Sequence, residues 1–110
     1  MAQRKPSRLP RPETPRQALE ASKRALLGDG EFVTTRHFKE RLAGRQFDMT
    51  DVEHLAREGR ILNPPEWDAS HGNWTWRLEG RTVDGRTVYV VFAISGTQQV
   101  RGIAIETPER

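Results

Sequence analysis

The hydrophobic period of the chain changes once, at Gly59, and this change constrains the fold more than any other feature. Before Gly59, apolar residues recur every three to four positions, which is the spacing of amphipathic helices. After it, apolar and polar residues alternate, which is the spacing of half-buried strands. Helices followed by strands predict an α+β domain with an antiparallel sheet. A chain of 110 residues is long enough for one such domain and too short for two.

The helical half contains three segments with recognisable ends. The first helix is predicted over residues 15–27, because Thr14-Pro15 combines an N-cap with a proline at the first helical position. A second helix follows a threonine cap and occupies about 35–44. The third begins at the capping-box pattern of residues 50–53 and stops at Gly59. These helices should pack on one face of the sheet that follows.

The second half predicts a β-meander of about three to four strands. Asp84-Gly85 is a hairpin turn between two alternating segments. The strand from Arg86 to Ile94 has apolar residues on both faces and is therefore expected at the centre of the sheet. The strands are predicted over 60–62, 74–79, 86–94 and 100–106, and residues 31–34 form a further short strand or an extended entry to the second helix.

The basic excess of the chain is confined to its first quarter. Residues 1–24 carry seven basic and two acidic side chains, and the remaining residues carry eleven basic and thirteen acidic ones. Residues 1–13 are rich in proline and arginine and are predicted to be a disordered arm, followed by the single domain at 14–110. The arm either attracts phosphates without sequence specificity or acts as a solubilising leader. Its candidate nucleic-acid contacts are Arg4, Lys5, Arg8 and Arg11.

Several classes of protein are disfavoured by what the sequence lacks. It contains no cysteine, so disulfides and thiolate chemistry are excluded. It has no run of about 20 apolar residues, so no membrane span is expected. Its three histidines do not have the spacing of a metal motif. We therefore expect a cytoplasmic protein without a metal or other cofactor.

The second predicted helix carries the residues best suited to chemistry. His37 and Arg41 are spaced by four and share one helical face, and Arg45 joins them if the helix extends that far. Histidine transfers protons near neutral pH, and guanidinium groups bind phosphate. This trio suits metal-independent cleavage of RNA through its own 2′-hydroxyl. The same spacing also occurs on any solvated helix face, so an ordinary surface remains the alternative.

Further candidates lie on the strands and beside the trio. Tyr89 is the only tyrosine and lies on the opposite face of its strand from Val88 and Val90, where its hydroxyl either reaches a concave site or meets water. The candidate catalytic residues are therefore His37, Arg41, Arg77 and Tyr89. Arg36, Arg45 and Trp67 are candidate contacts to nucleic acid, since tryptophan can stack on bases.

The segment from Phe32 to Thr107 resembles a bacterial family described as a domain of unknown function, DUF4258. The resemblance rests on the helix bearing His37, Arg41 and Arg45 and on the step from Asp51-Val52 to Gly59-Arg60-Ile61. A final strand ending in Ile105-Glu106-Thr107 completes it.

A second, fainter resemblance connects the chain with the MqsR-type messenger-RNA interferases of the RelE-like ribonuclease superfamily. It rests on Val33-Thr34-Thr35-Arg36 and on Trp74, Gly85 and Tyr89. It implies a RelE/MqsR-like fold and RNA as the substrate. The functional lysines of those toxins have no counterpart here, and only Tyr89 carries over.

Two functions therefore remain open. The first is a toxin-like endoribonuclease in which Tyr89 or His37 transfers protons and Arg41 and Arg77 hold phosphate; RNA and an antitoxin-like protein would be its partners. The second is a non-enzymatic protein- or RNA-interaction module with the same fold, which the mildly acidic residues 25–110 favour. The oligomeric state is not determined by the sequence.

Overall fold

The computed structural model describes residues 10–95 and 99–108, which form three helices and five strands. The helices are α1 (Pro15–Leu27), α2 (Arg36–Gly44) and α3 (Met49–Glu58). The strands are β1 (Glu31–Thr34), β2 (Glu66–Asp68), β3 (Asn73–Arg81), β4 (Thr87–Ile94) and β5 (Gln99–Glu106). The α+β class predicted from the sequence is confirmed.

Side-chain caps define where the helices begin. In α1 the Thr14 side chain accepts a hydrogen bond from the Gln17 amide, and the Gln17 side chain accepts one from the Thr14 amide. In α2 the Thr35 hydroxyl accepts from the Phe38 amide at 3.1 Å. These bonds satisfy amides that have no partner within the helix. The predicted starts of α1 and α2 are therefore correct.

The cap of α3 differs from the prediction. The N-cap is Asp48, whose carboxylate accepts from the Asp51 amide at 3.1 Å, and the Asp51 carboxylate accepts from the Asp48 amide at 3.2 Å. Thr50 and Glu53, predicted to form the capping box, lie inside the first turn or beyond it. The aspartate pair begins the helix earlier because its short carboxylates reach the end amides two positions upstream of the expected cap.

The sheet is mixed and contains five strands in the order β1-β5-β4-β3-β2. β1 runs parallel to β5, and every other pair is antiparallel. The prediction of three to four antiparallel strands therefore needs correction on both points. The sequence pattern of a short edge strand does not reveal its direction, because it carries no information about which strand it will pair with. β4 lies at the centre, as its two apolar faces predicted.

Two strand assignments differ from the sequence prediction at the β2 edge. Residues 60–62 form no strand, and Arg60 makes only an isolated bridge with Glu79. The edge strand is instead β2, whose Trp67 pairs with Trp74. Prolines at 64 and 65 separate the two segments, since proline cannot donate to a sheet ladder.

All three helices cover the same face of the sheet and form one core with it. That core contains Phe38 of α2, Leu55 of α3, Leu78 of β3 and Phe92 of β4, all fully buried. Gly102 of β5 lies directly beneath α2, where an added Cβ would be only 2.9 Å from the Phe38 ring. Glycine is needed there because the helix approaches the strand so closely. The opposite face of the sheet, called the open face below, has no helix packed on it among the described residues.

The segment before α1 lies against the first residues of β3. Trp74 Nε1 donates to the Pro10 carbonyl at 2.7 Å, and Trp76 Nε1 donates to the Glu13 carboxylate at 3.0 Å. Residues 10–13 have no regular secondary structure. The rest of the arm that was predicted to be disordered, residues 1–9, lies outside the described residues. No helix in the described part of the chain is long and apolar enough to cross a membrane.

Candidate functional site

The polar residues of the central strands meet on the open face of the sheet. Tyr89 of β4 stands opposite Glu106 of β5, and Arg77 of β3 stands opposite Val91 of β4. Because side chains alternate along each strand, these residues point away from the buried Val90 and its neighbours. The open face therefore presents a guanidinium, a phenol and a carboxylate on three adjacent strands.

A β-bulge in β5 brings Glu106 to this face. The register shifts between two neighbouring pairs, Val91 with Ala104 and Phe92 with Gly102, and leaves Ile103 as the extra residue. Without the bulge, the alternation that buries Gly102 would also turn residue 106 toward the helices. With it, Ile105 is buried at 1% exposure and Glu106 points the other way. The bulge therefore reverses which residues of β5 face the open side of the sheet, and this places the Glu106 carboxylate beside Tyr89.

The C-terminal end of α2 brings two further arginines to the same place. β1 pairs only with residues 99–102 of β5, so among the described residues the rest of β5 has no strand on that side. The end of α2 lies there instead, and Arg45 Nη1 donates to the Thr107 hydroxyl at 2.9 Å. Arg45 is the residue after the helix, at its C-cap, so α2 ends at Gly44 as predicted.

These residues enclose a cleft of about 650 Å³, which we call the arginine cleft. Its lining combines the end of α2, the centre of β3 and β4, and the end of β5. The residues that define it are Arg41, Arg45, Arg77, Tyr89, Glu106 and Thr107. The fold thus brings three of the four predicted catalytic residues, Arg41, Arg77 and Tyr89, into one cavity, although they are up to 48 positions apart in sequence.

The charges in the arginine cleft are unequal. Three guanidiniums face one carboxylate, and Arg77 Nη2 lies 3.2 Å from Glu106 Oε1. The same guanidinium lies over the Tyr89 ring, 5.1 Å from its centroid, in a cation–π contact. Arg45 Nε is buried without a hydrogen-bond partner among the described residues. Such an arrangement suits an anionic ligand, because an excess of positive charge converges in a concave site.

His37 lies beside the arginine cleft and not in it. It lines a neighbouring cavity of about 430 Å³, which shares Arg41 and Arg45 with the cleft. Arg41 Nε donates to His37 Nε2 at 3.4 Å. Arg41 therefore connects the histidine to the cleft.

The other predicted nucleic-acid contacts are scattered. Arg36 is exposed and pairs with Glu40 at 3.1 Å on the outer surface of α2. Trp67 packs edge-on against Trp74, with ring centroids 5.3 Å apart, at the far edge of the sheet. Arg11 is exposed in the segment before α1. Arg4, Lys5 and Arg8 lie outside the described residues.

The remaining histidines occupy separate surroundings. His71 Nδ1 lies 2.8 Å from the Asp68 carboxylate in an exposed turn. The Ser70 hydroxyl, which donates to Asp68 at 2.7 Å, lowers the pKa of that carboxyl, and His71 lowers it further. His54 lines a cavity of about 720 Å³ that shares no residue with the arginine cleft. In the described part of the chain, no three acidic or histidine side chains come together to hold a metal ion.

Sequence reasoning did not identify Glu106 and Thr107 as site residues. Both lie near the end of β5, where apolar residues occupy both alternation phases from 100 to 105. Ile103 is the extra residue of the bulge, and Ile105 points into the core. The strand pattern by itself does not show which of these two isoleucines is the extra residue.

The fold and the cleft define a small α+β protein with an arginine-rich, positively charged cleft on the uncovered face of a mixed sheet. The model of a protein family described as a domain of unknown function, DUF4258, matches residues 34–103. That match covers more than half of the chain, and the protein belongs to this family. It includes α2, α3, β2, β3, β4 and the part of β5 up to the bulge, but it leaves out most of β1 and ends before Glu106. Neither curated proteins nor solved structures gave a match.

Proposed function

We propose that the protein is a metal-independent endoribonuclease of the toxin type, with its active site in the arginine cleft. The observation that carries the proposal is the convergence of Arg41, Arg45 and Arg77 on Tyr89 in a single cavity. Guanidinium pairs bind phosphate, and a phenol beside them can transfer a proton to or from the bound group. No metal ligand is required by this chemistry.

Phosphate binding is assigned to Arg41 and Arg77, with Arg45 as a third donor. Arg77 is held at 3.2 Å by Glu106, which fixes the direction of its guanidinium. Arg45 is held by Thr107 at 2.9 Å, which fixes the position of its guanidinium at the cleft. Groups that are fixed before the substrate arrives stabilise the charge that develops on the phosphorane without further reorganisation.

Proton transfer is assigned to Tyr89 and His37 in opposite directions. The 2′-oxygen of the ribose attacks the adjacent phosphorus, and the bond from phosphorus to the 5′-oxygen breaks. His37 takes the 2′-hydroxyl proton once Arg41 has turned from it to the phosphate. The Tyr89 hydroxyl gives its proton to the leaving 5′-oxygen, and the products are a 2′,3′-cyclic phosphate and a 5′-hydroxyl. A neutral imidazole serves as a base and a protonated phenol as an acid at neutral pH.

The faint likeness to MqsR-type toxins supports the same reading, because Tyr89 corresponds to a functional tyrosine of that family. The toxin lysines are absent, since the only lysines are Lys5, Lys23 and Lys39. Arginines in the cleft would take over the phosphate-binding role. An antitoxin-like protein would then be the partner that covers the cleft.

The test combines purified protein with a short RNA in excess chelator. The wild-type chain should cleave the RNA and leave 2′,3′-cyclic phosphate ends, and a 2′-deoxy substitution at the cleaved position should abolish the reaction. Tyr89→Phe removes one hydroxyl and keeps the ring over Arg77. It should slow cleavage by about 100-fold or more, the usual effect of removing a proton-transfer group.

Arg81→Ala is the matched control, because Arg81 is exposed on β3 four residues from Arg77 and does not line the cleft. It should cleave at the wild-type rate. In cells, induction of the wild type should arrest growth, and the double variant His37→Ala/Tyr89→Ala should not. Intact RNA with the wild-type protein, or equal rates for wild type and Tyr89→Phe, would refute the proposal.

The second candidate is a non-enzymatic interaction module. It is favoured by the ion pair of Arg77 with Glu106, which already neutralises one of the three cleft guanidiniums. This reading predicts normal growth on induction, abundant protein and RNA that remains intact. It also predicts that Arg41→Ala and Arg77→Ala weaken the binding of a partner without any effect on RNA length.

A further inference from the structure

A second, smaller cavity adjoins the arginine cleft on the open face. Its volume is about 200 Å³, and it shares Arg77 and Glu106 with the cleft. Four further residues matter for its chemistry: Asn63 and Pro64 of the loop before β2, Glu66 of β2 and Val91 of β4. A ligand that holds one phosphate in the arginine cleft would therefore place its next group at this cavity.

The charge of the smaller cavity disfavours a second phosphate. Glu66 and Glu106 both line it, and Arg77 is its one basic residue. Arg77 is paired with Glu106. The carboxylate of Glu66 has no cation within salt-bridge distance among the described residues. Bringing a phosphate next to that carboxylate would set like charges together at short range. A neutral group with N–H donors is favoured instead.

The size and the walls of the cavity suit a single nucleobase. Its volume of about 200 Å³ equals that of roughly seven water molecules, which is the scale of one base and not of a nucleotide chain. Pro64 and Val91 supply apolar contacts for the face of a ring, and Asn63, Glu66 and Glu106 supply polar groups for its edge. The Thr75 hydroxyl donates to the Glu66 carbonyl at 3.2 Å and holds β2 in register with β3.

We propose that this cavity, called the base pocket below, binds guanine next to the cleaved phosphate. Guanine presents two adjacent donors, N1–H and the N2 amino group, which can engage both oxygens of the Glu66 carboxylate. The Asn63 amide can donate to the guanine O6. Adenine, cytosine and uracil do not have two adjacent donors on that edge, so each would leave a carboxylate oxygen facing an acceptor. The assignment rests on the proposed ribonuclease function and adds base preference to it.

The test measures binding and cleavage separately. Binding is measured by fluorescence anisotropy with short RNAs that carry 2′-O-methyl groups throughout and cannot be cleaved. Each RNA carries one base, which is guanine, adenine, cytosine or uracil, at the same position. All its other nucleotides are abasic. The wild type should bind the guanine RNA about 10-fold more tightly than the others, the scale of one good bidentate contact. Cleavage of the unmodified RNAs should follow the same order.

Glu66→Gln is the diagnostic variant, because it puts an amide donor where guanine needs an acceptor. It should reduce the preference for guanine to less than about 3-fold. Glu20→Gln is the matched control, since Glu20 is an exposed carboxylate on α1, away from both cavities. It should retain the full preference and the full affinity.

The outcomes separate the base pocket from the catalytic proposal. Guanine preference that depends on Glu66 supports the base pocket, whether or not the unmodified RNA is cleaved. Equal binding of all four RNAs overturns it, even if cleavage occurs. A guanine preference that survives Glu66→Gln also overturns it, because the base would then be recognised elsewhere.

Discussion

Replacing Gly102 by alanine tests the contact that holds α2 against the sheet. A Cβ at this position would lie 2.7 Å from Phe32 Cζ and 2.9 Å from Phe38 Cδ2. Phe38 is fully buried, and the two rings pack edge-on with centroids 5.5 Å apart. Neither ring can yield without disturbing the other. Since α2 carries Arg41 and leads to Arg45, the same contact positions one wall of the arginine cleft.

Two opposing effects determine the size of the change. Overpacking a well-packed core costs about 1–3 kcal/mol. Replacing a glycine by alanine also restricts the unfolded chain, which stabilises the fold by about 0.4–1 kcal/mol where no strain results. At Gly102 the steric cost is the larger, because two contacts fall below 3.0 Å. We expect a net loss of about 1–2 kcal/mol in the free energy of unfolding.

The assay is urea denaturation followed by tryptophan fluorescence. With a slope of about 2 kcal/mol per M, the midpoint of Gly102→Ala should fall by about 0.5–1 M. Gly44→Ala is the control, because nothing lies within 4 Å of a Cβ added at the end of α2. Alanine there should leave the midpoint unchanged or raise it slightly.

A double-mutant cycle identifies the clash itself. In a Phe32→Ala background, Gly102→Ala should cost less than in the wild type, because the nearest ring has been removed. If Gly102→Ala is as stable as the wild type, the close approach of α2 to β5 described above is wrong. If its cost is unchanged without Phe32, the contact with the β1 ring is not the source of the clash.

Two further predictions concern the cap of α3 and the turn before β3. Asp48→Ala should lower the free energy of unfolding by about 1 kcal/mol, because it removes the N-cap of α3. Thr50→Ala should change it by less than half as much, and thermal or urea denaturation measures both. A larger loss for Thr50→Ala than for Asp48→Ala would show that Thr50 is the cap. The carboxyl of Asp68 should titrate in an NMR experiment with a pKa below its ordinary range, and Ser70→Ala should raise that pKa. Because the folded-state pKa is lowered, the stabilisation from Asp68 is present above the pKa of the unfolded chain. This stabilisation is lost as the pH falls through the folded-state pKa. If the pKa of Asp68 is the same in Ser70→Ala as in the wild type, the Ser70 hydroxyl is not the main cause of its lowering.

The sequence was informative wherever the structure is built from local interactions. The limits of α1 and α2 follow from a threonine cap, a proline and a glycine, all within a few residues of the helix ends. The central position of β4 follows from its two apolar faces. The start of α3 was mistaken because two overlapping segments each offered a capping pattern, and which one is used depends on the path of the chain from α2.

The candidate site was predictable in part and for a specific reason. The spacing of His37 and Arg41 was visible because both lie on one helix. Their relation to Arg77 and Tyr89 was proposed from chemistry alone. Glu106 could not be found from the strand pattern, because its direction depends on a bulge that appears only when β5 pairs with β4.

The sequence by itself therefore determined the class of the domain, the helices and the central strand, because caps, turns and hydrophobic period act over short distances along the chain. The tertiary structure alone decided that β1 joins the sheet in parallel, that β5 is bulged, and that the end of α2 lies beside the second half of β5. These features depend on contacts between residues far apart in sequence. They are also what brings three arginines, a tyrosine and a glutamate into one cleft.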